Sequence, residues 1–320
     1  MTRGNGRRAL VLHLAVLLAL LILQVFLPPF HHGMVARIMV LATYAIGYNL
    51  LLGYAGLMSL GHAMFFATGV YGAGLMVYHL DLGPAAAFLV GIAASTLVAA
   101  AVGLLTLRTT GVAFLIVTMM FAQVFYLSTL LFSRITGGDQ GLVLTGHLQP
   151  LRLGGLKLAL ADPGVKYNVA LATLAACLLV NLWLVRSPAG RVLVAIRENE
   201  ERTRMLGYNT AAYRLLALIA SGAIAGTAGA VYALLFSYVG STFASILYSI
   251  YPLLWVLLGG AGTTVGPLIG AGLMAYIVDA ASGLTSSYLL VVGLALVVLV
   301  MKFPAGLAGA LRARWWRWLP

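Results

Sequence analysis

Charge is what this sequence has least of. Only 8% of its 320 residues are Asp, Glu, Lys or Arg, and seven of them are acidic. A soluble domain covers itself with roughly 25–35% charged residues, so a water-soluble fold is excluded. Cysteine is nearly absent too. A single Cys177, set in an apolar run, rules out a disulfide within the chain and any multi-cysteine metal site. Catalytic signatures are also missing. No Gly-x-x-x-x-Gly-Lys-Ser/Thr phosphate loop is present: residues 259–266 carry the glycines without the lysine. There is no Gly-x-Ser-x-Gly elbow and no His-Glu-x-x-His pair. The acidic residues form no chain of groups within the apolar runs, as ion-coupled transport would require.

What the chain has instead is hydrophobicity. Apolar residues make up 62% of it, and the mean hydropathy is +1.03. Runs near 20 residues separated by short polar breaks define membrane-spanning helices. The sequence therefore predicts an all-α, polytopic transmembrane bundle in a single domain, residues 1–320. About ten spans fit, within a range of eight to eleven: 9–27, 34–52, 60–79, 84–107, 112–132, 167–185, 213–237, 247–259, 265–281 and 285–302. The third, eighth and ninth are short or glycine-rich, which suits broken or re-entrant helices. The first ends in Pro28-Pro29 without a small-residue cleavage site, so it reads as an uncleaved span.

The net charge of +12 does not indicate nucleic acid, because the bases lie in short breaks rather than on one folded face. With the N-terminus cytoplasmic, Arg37, Arg134, Arg152, Lys157 and Lys166 fall outside, leaving fourteen of the 19 basic residues inside. That bias obeys the positive-inside rule and supports an even number of crossings with both termini cytoplasmic. The aromatic and basic tail, residues 312–318, reads as an anchor in the lipid interface. Two polar segments are long. Residues 133–166 form an exterior loop rich in turn signals, and residues 187–212 a cytoplasmic one. Within the latter, residues 191–206 support a short amphipathic helix stopped by Gly207, suited either to a partner's groove or to a solvated connector. Gly72-Ala-Gly-Leu-Met76 recurs as Gly270-Ala-Gly-Leu-Met274, each after a Gly-x-Ala-Gly segment at Gly53–Gly56 and Gly259–Gly262.

Polar side chains in or beside the spans are few. Asn49, Ser59 and His62 are candidates for a translocation path. Asp279, near the outer end of a span, either meets a substrate amine or snorkels to the interface. The pair His31-His32 follows two prolines and reads as a solvated turn rather than a metal site. The small-residue faces Gly222–Gly226 and Gly266–Gly270 read as close helix packing.

In several places the sequence resembles a known family. Residues 53–71, GYAGLMSLGHAMFFATGVY, resemble the GxxGxxSLGHAxFxxxGAY segment of branched-chain amino acid permeases of the LivM type. TGGDQGL at 136–142, AIRENE at 195–200, LLGGAGTTVGP at 257–267 and FPAGL at 303–307 are similar to further segments of that family, in order along nearly the whole chain. The resemblance implies an ABC importer permease fold in a bacterial inner membrane. It implies pairing with a homologous second permease subunit, two cytoplasmic ATPases that bind the ATP, and a periplasmic substrate-binding protein. The chain itself would then hold no cofactor. The loop at 187–212 loosely resembles the coupling loop of such permeases, which makes Arg197, Glu198, Glu200, Glu201 and Gly207 the expected ATPase-facing residues. The family's substrates include branched-chain amino acids, urea and short amides. A stand-alone channel or facilitator for a small polar solute is the competing reading.

Overall fold

The computed structural model describes residues 3–106, 108–153, 156–284, 287–303 and 305–314. The end of the expected interfacial tail, residues 315–320, lies outside them. The molecule is an all-α polytopic bundle, with fourteen α-helices among the described residues. Seven of them are long and apolar enough to cross a membrane: α1 (Arg3–Phe26), α2 (Pro29–Asn49), α3 (His62–Leu80), α4 (Pro84–Thr106), α5 (Gly111–Leu131), α7 (Pro163–Arg186) and α10 (Thr210–Phe236). α11 (Ile246–Gly259) and α13 (Tyr288–Lys302) are shorter apolar helices, and α12 (Gly266–Leu284) joins them. Short helices fill the connections: α6 (Ser133–Thr136), α8 (Pro188–Glu198), α9 (Glu200–Met205) and α14 (Gly306–Arg314).

Local chemistry moves several boundaries from where hydropathy put them. Pro29 starts α2 at its first turn, where the missing N–H is no loss and the fixed φ suits the helix. The His31-His32 pair therefore lies within α2 rather than in a solvated turn, and Arg37, counted among the outside bases, lies inside the helix as the span 34–52 has it. His32 Nε2 lies 3.0 Å from the Gln24 carbonyl oxygen, tying α2 back to α1. Asp162 caps α7 by accepting from Gly164 N, and Asn209 caps α10 by accepting from Ala212 N. Both helices thus begin three or four residues earlier than expected. The third expected span is an unbroken helix. The break precedes it, as a π-turn (Leu50–Tyr54) that underwinds the end of α2 and an irregular stretch up to Gly61.

The core lies where α10 packs on α3 and α4, with α2 between α7 and α10. Small residues permit this. A Cβ on Gly222 or Gly226 would strike Ala99 or Ser95 of α4, and one on Gly229 would overlap the Phe66 carbonyl of α3. With lipid outside, close approach and interhelical hydrogen bonds replace the hydrophobic drive. The Ser95 hydroxyl contributes such bonds at 2.9 Å to both the Phe65 and Gly222 carbonyls, joining α3, α4 and α10. By contrast, α1 leaves Val25 82% and Phe26 78% exposed, and α13 leaves Leu290 70% exposed, surfaces suited to lipid or another apolar partner.

The connections sort to two ends. At one end β1 (Leu142–Val143) pairs antiparallel with β4 (Tyr238–Val239), so the loop after α5 is stitched to the segment after α10. β2 (Leu151–Leu153) and β3 (Leu156–Leu158) form a second hairpin in that loop. Asp81, in the α3–α4 turn, meets His147 at 3.0 Å there. The turn after α4, the helices α8 and α9, and the breaks before α3 and α12 gather at the other end.

Candidate functional site

The two Gly-x-Ala-Gly segments, about two hundred residues apart, meet in space. Gly53 lies in the π-turn, and Gly262 (φ +72°) lies in the α11–α12 turn. A Cβ on Gly53 would overlap the Gly262 nitrogen and stand 2.9 Å from its Cα, so only glycine lets the two backbones touch. Asn49, fully buried at the end of α2, pins the junction. Its Nδ2 donates to the Thr263 carbonyl and its Oδ1 accepts from Gly262 N, each at 2.9 Å. The repeated Gly-Ala-Gly-Leu-Met motifs fall in α3 and α12, the helices that follow the two breaks.

The helix that opens the 187–212 loop is seated on this junction. α8 is amphipathic and buries Val192, Leu193 and Ile196. From its last turn Arg197 Nη1 donates to the Gly53 carbonyl at 2.5 Å, while Nη2 reaches Glu198 at 2.6 Å. From α14, Arg312 Nη1 donates to the Gly262 carbonyl at 3.3 Å. On the α1 side, His13 Nε2 lies 2.7 Å from the Thr264 hydroxyl. Two guanidinium groups thus hold the carbonyls freed where the helices unwind, so the irregular backbone there is satisfied within the protein.

The loop is not the single helix 191–206 that its pattern predicts. It breaks at Asn199, whose backbone is extended (φ −161°, ψ 105°) and whose side chain accepts from Arg202 N to cap α9. An asparagine that caps a new helix competes with continuing the old one. Glu200 leads α9 and lies 3.4 Å from Arg214 Nη1 and 3.5 Å from Arg204. Arg214 is buried in the first turns of α10 and also donates to the Thr109 carbonyl at 2.5 Å. It ties α9, α10 and the α4–α5 turn together, yet in sequence it is one basic residue among many. Glu198 and Glu201 are exposed, and Gly207 (φ +88°) turns the chain after α9. Around that turn Met205 is 84% and Leu206 76% exposed, with Tyr208 beside them.

His62 and Ser59 sit deeper. His62 begins α3 and is fully buried, with Nε2 3.0 Å from the Ser221 hydroxyl, which itself donates to the Gly47 carbonyl at 2.5 Å. Its ring lies among Tyr44, Tyr48 and Phe65. Ser59 is buried and accepts from Gly61 N at 3.1 Å. Asn49, Ser59 and His62 thus all belong to the break between α2 and α3, and their polar atoms bond mainly to backbone or to Ser221.

Residues 32–301 match the profile of the family described as "branched-chain amino acid transport system / permease component". The chain is 30% identical over 291 residues to the high-affinity branched-chain amino acid transport system permease protein LivM of Salmonella typhimurium, covering 84% of this chain and 68% of the relative. The Escherichia coli protein of the same name matches to the same extent. A probable branched-chain amino acid transport permease protein LivM of Methanocaldococcus jannaschii is 32% identical over 96 residues, 30% of this chain and 27% of its own length. No solved structure matches. The glycine junction, the loop helix seated on it and the sequence relationship over most of the chain lead to one assignment: the chain belongs to the branched-chain amino acid permease family.

Proposed function

We propose that the chain is the membrane-spanning subunit of an ATP-driven importer for branched-chain or related small amino acids. In this reading it lies in a bacterial inner membrane with both termini in the cytoplasm. It pairs with a homologous permease subunit, receives its ligand from a periplasmic binding protein, and is driven by two cytoplasmic ATPases that bind the ATP. One observation carries the reading: Arg197 joins α8 directly to the Gly53 carbonyl, at the break in the bundle. A push on α8–α9 from outside the bundle therefore reaches the break between α2 and α3 through Arg197, and the α11–α12 turn through the Asn49 bridge. Glu201, exposed and without an ion pair among the described residues, and the apolar tip at Met205 and Leu206 are what a nucleotide-hydrolysing partner would meet. Asn49, Ser59 and His62 are the side chains whose surroundings change if the break opens.

The test is Glu201→Arg in the complete transporter. ATP hydrolysis should persist while amino acid uptake falls by about tenfold or more, the scale of one lost charge contact turned repulsive. Wild-type coupled uptake in this variant would overturn the docking assignment. Solute flux through the chain reconstituted alone would point to a facilitator instead.

A further inference from the structure

Away from the glycine junction, a cavity of about 410 Å³ opens between α2, α11, α12 and α13. Its volume falls in the range of small-molecule sites, roughly 300–1,000 Å³. The wall is mostly apolar, with Ile38 and Leu41 from α2, Trp255 from α11 and Met274 from α12. Two charged residues, and only two, share the lining: Arg37 of α2 and Asp279 of α12. Arg37 shares a side-chain hydrogen bond with Tyr232, which leaves most of the five N–H donors of its guanidinium for another partner. Both charged residues are exposed, and they form no ion pair with each other.

A lone charge within a bundle is costly unless it meets an opposite charge or a polar ligand. Two opposite charges that line one cavity without joining leave a basic and an acidic group available to a third molecule. Arg37 stands eight residues after Pro29, and Asp279 five before Leu284. At about 1.5 Å per residue, these are about 12 and 8 Å below the same end of the bundle, the end that carries the β1–β4 ladder. The complement of such a cavity is a zwitterion with an aliphatic arm. We propose that it holds the transported amino acid: Arg37 takes the α-carboxylate, Asp279 the α-ammonium, and the side chain lies against Trp255, Met274 and Ile38. Arginine suits this role because its planar fork matches a carboxylate with two parallel bonds. The proposal rests on the importer reading above and adds where the ligand sits and what selects it.

The test uses the complete transporter in proteoliposomes, with L-leucine as the probe. Asp279→Asn and Arg37→Gln should each lower ATP-driven leucine uptake by about tenfold or more, the scale of a lost charged contact. Asp279→Glu should restore most of it, which a purely structural aspartate near lipid would not require. A second measurement does not depend on transport. The chain's single cysteine, Cys177, is buried, so Ser282→Cys places the accessible thiol of this chain in the cavity. L-Leucine should slow maleimide labelling of that thiol several-fold. The deaminated analogue 4-methylpentanoate and the decarboxylated 3-methylbutylamine should protect far less. Absence of ATP-driven leucine uptake by the wild-type transporter would overturn the importer reading and the proposal with it. Wild-type uptake that survives Asp279→Asn and Arg37→Gln, or a thiol that leucine does not protect, would overturn the site alone.

Discussion

Two buried asparagines give opposite expectations for the same substitution. Asn49 and Asn181 are both fully buried in long apolar helices. Asn49 uses both ends of its amide across the glycine junction, bonding Gly262 N and the Thr263 carbonyl at 2.9 Å each. On Asn181 neither amide atom has a hydrogen-bond partner. Replacing either by alanine removes the same volume, so the cavity cost of about 1–2 kcal/mol is common to both. At Asn49 two buried backbone groups also lose their partners, at about 1–3 kcal/mol each. At Asn181 the change removes two unsatisfied groups, and the relief offsets part or all of the cavity. Asn49→Ala should therefore be less stable than Asn181→Ala by about 2–8 kcal/mol on these magnitudes. The assay is equilibrium unfolding of the purified chain in mild detergent by added dodecyl sulfate, followed by circular dichroism, with Asn181→Leu as a volume-conserving companion expected to be neutral or stabilising. Equal losses in the two alanine variants would refute the idea that the Asn49 bridge holds the junction.

Gly229→Leu should abolish the native bundle, because even a Cβ would overlap the Phe66 carbonyl oxygen and lie 2.9 Å from its carbon. Gel filtration of the detergent-solubilised variant should show aggregate in place of the wild-type peak. Replacing Met205 and Leu206 together by serine touches side chains that are 84% and 76% exposed, so unfolding should shift by less than about 0.5 kcal/mol. Co-purification of the ATPase subunits should nonetheless fall, and unchanged recovery would argue against the α9 tip as a docking point.

Hydropathy made most of this architecture legible, since long apolar runs have few other fates. The errors are informative because each arises from chemistry that an average over 20 residues hides. Pro29 opens α2 early, which takes His31 and His32 out of a solvated turn and into the helix. Asn199 ends one helix by capping the next. Both are single-residue effects within otherwise well-read segments. The glycine motifs at 53 and 259 are visible as a faint repetition, but their meeting is not, because nothing in a one-dimensional pattern pairs residues two hundred positions apart. Arg197 was legible as part of a polar helix. Its bond to a main-chain carbonyl was not, since that acceptor leaves no mark in the sequence. Arg214 is the clearest omission: its burial follows from the packing of α10 on the α4–α5 turn, which only the fold reveals.

The ladder between Leu142–Val143 and Tyr238–Val239 also constrains how the molecule is made. Its paired residues lie 97 and 95 positions apart, and α7 through α10 must be synthesised before the second strand exists. Until then the first strand and its hairpin wait unlatched, with open backbone groups facing solvent. Closure of that ladder thus comes only after α1 through α10 have been made. A chain stalled between α7 and α10 would keep the backbone groups of Leu142 and Val143 unpaired, because their partners, Tyr238 and Val239, would not yet exist.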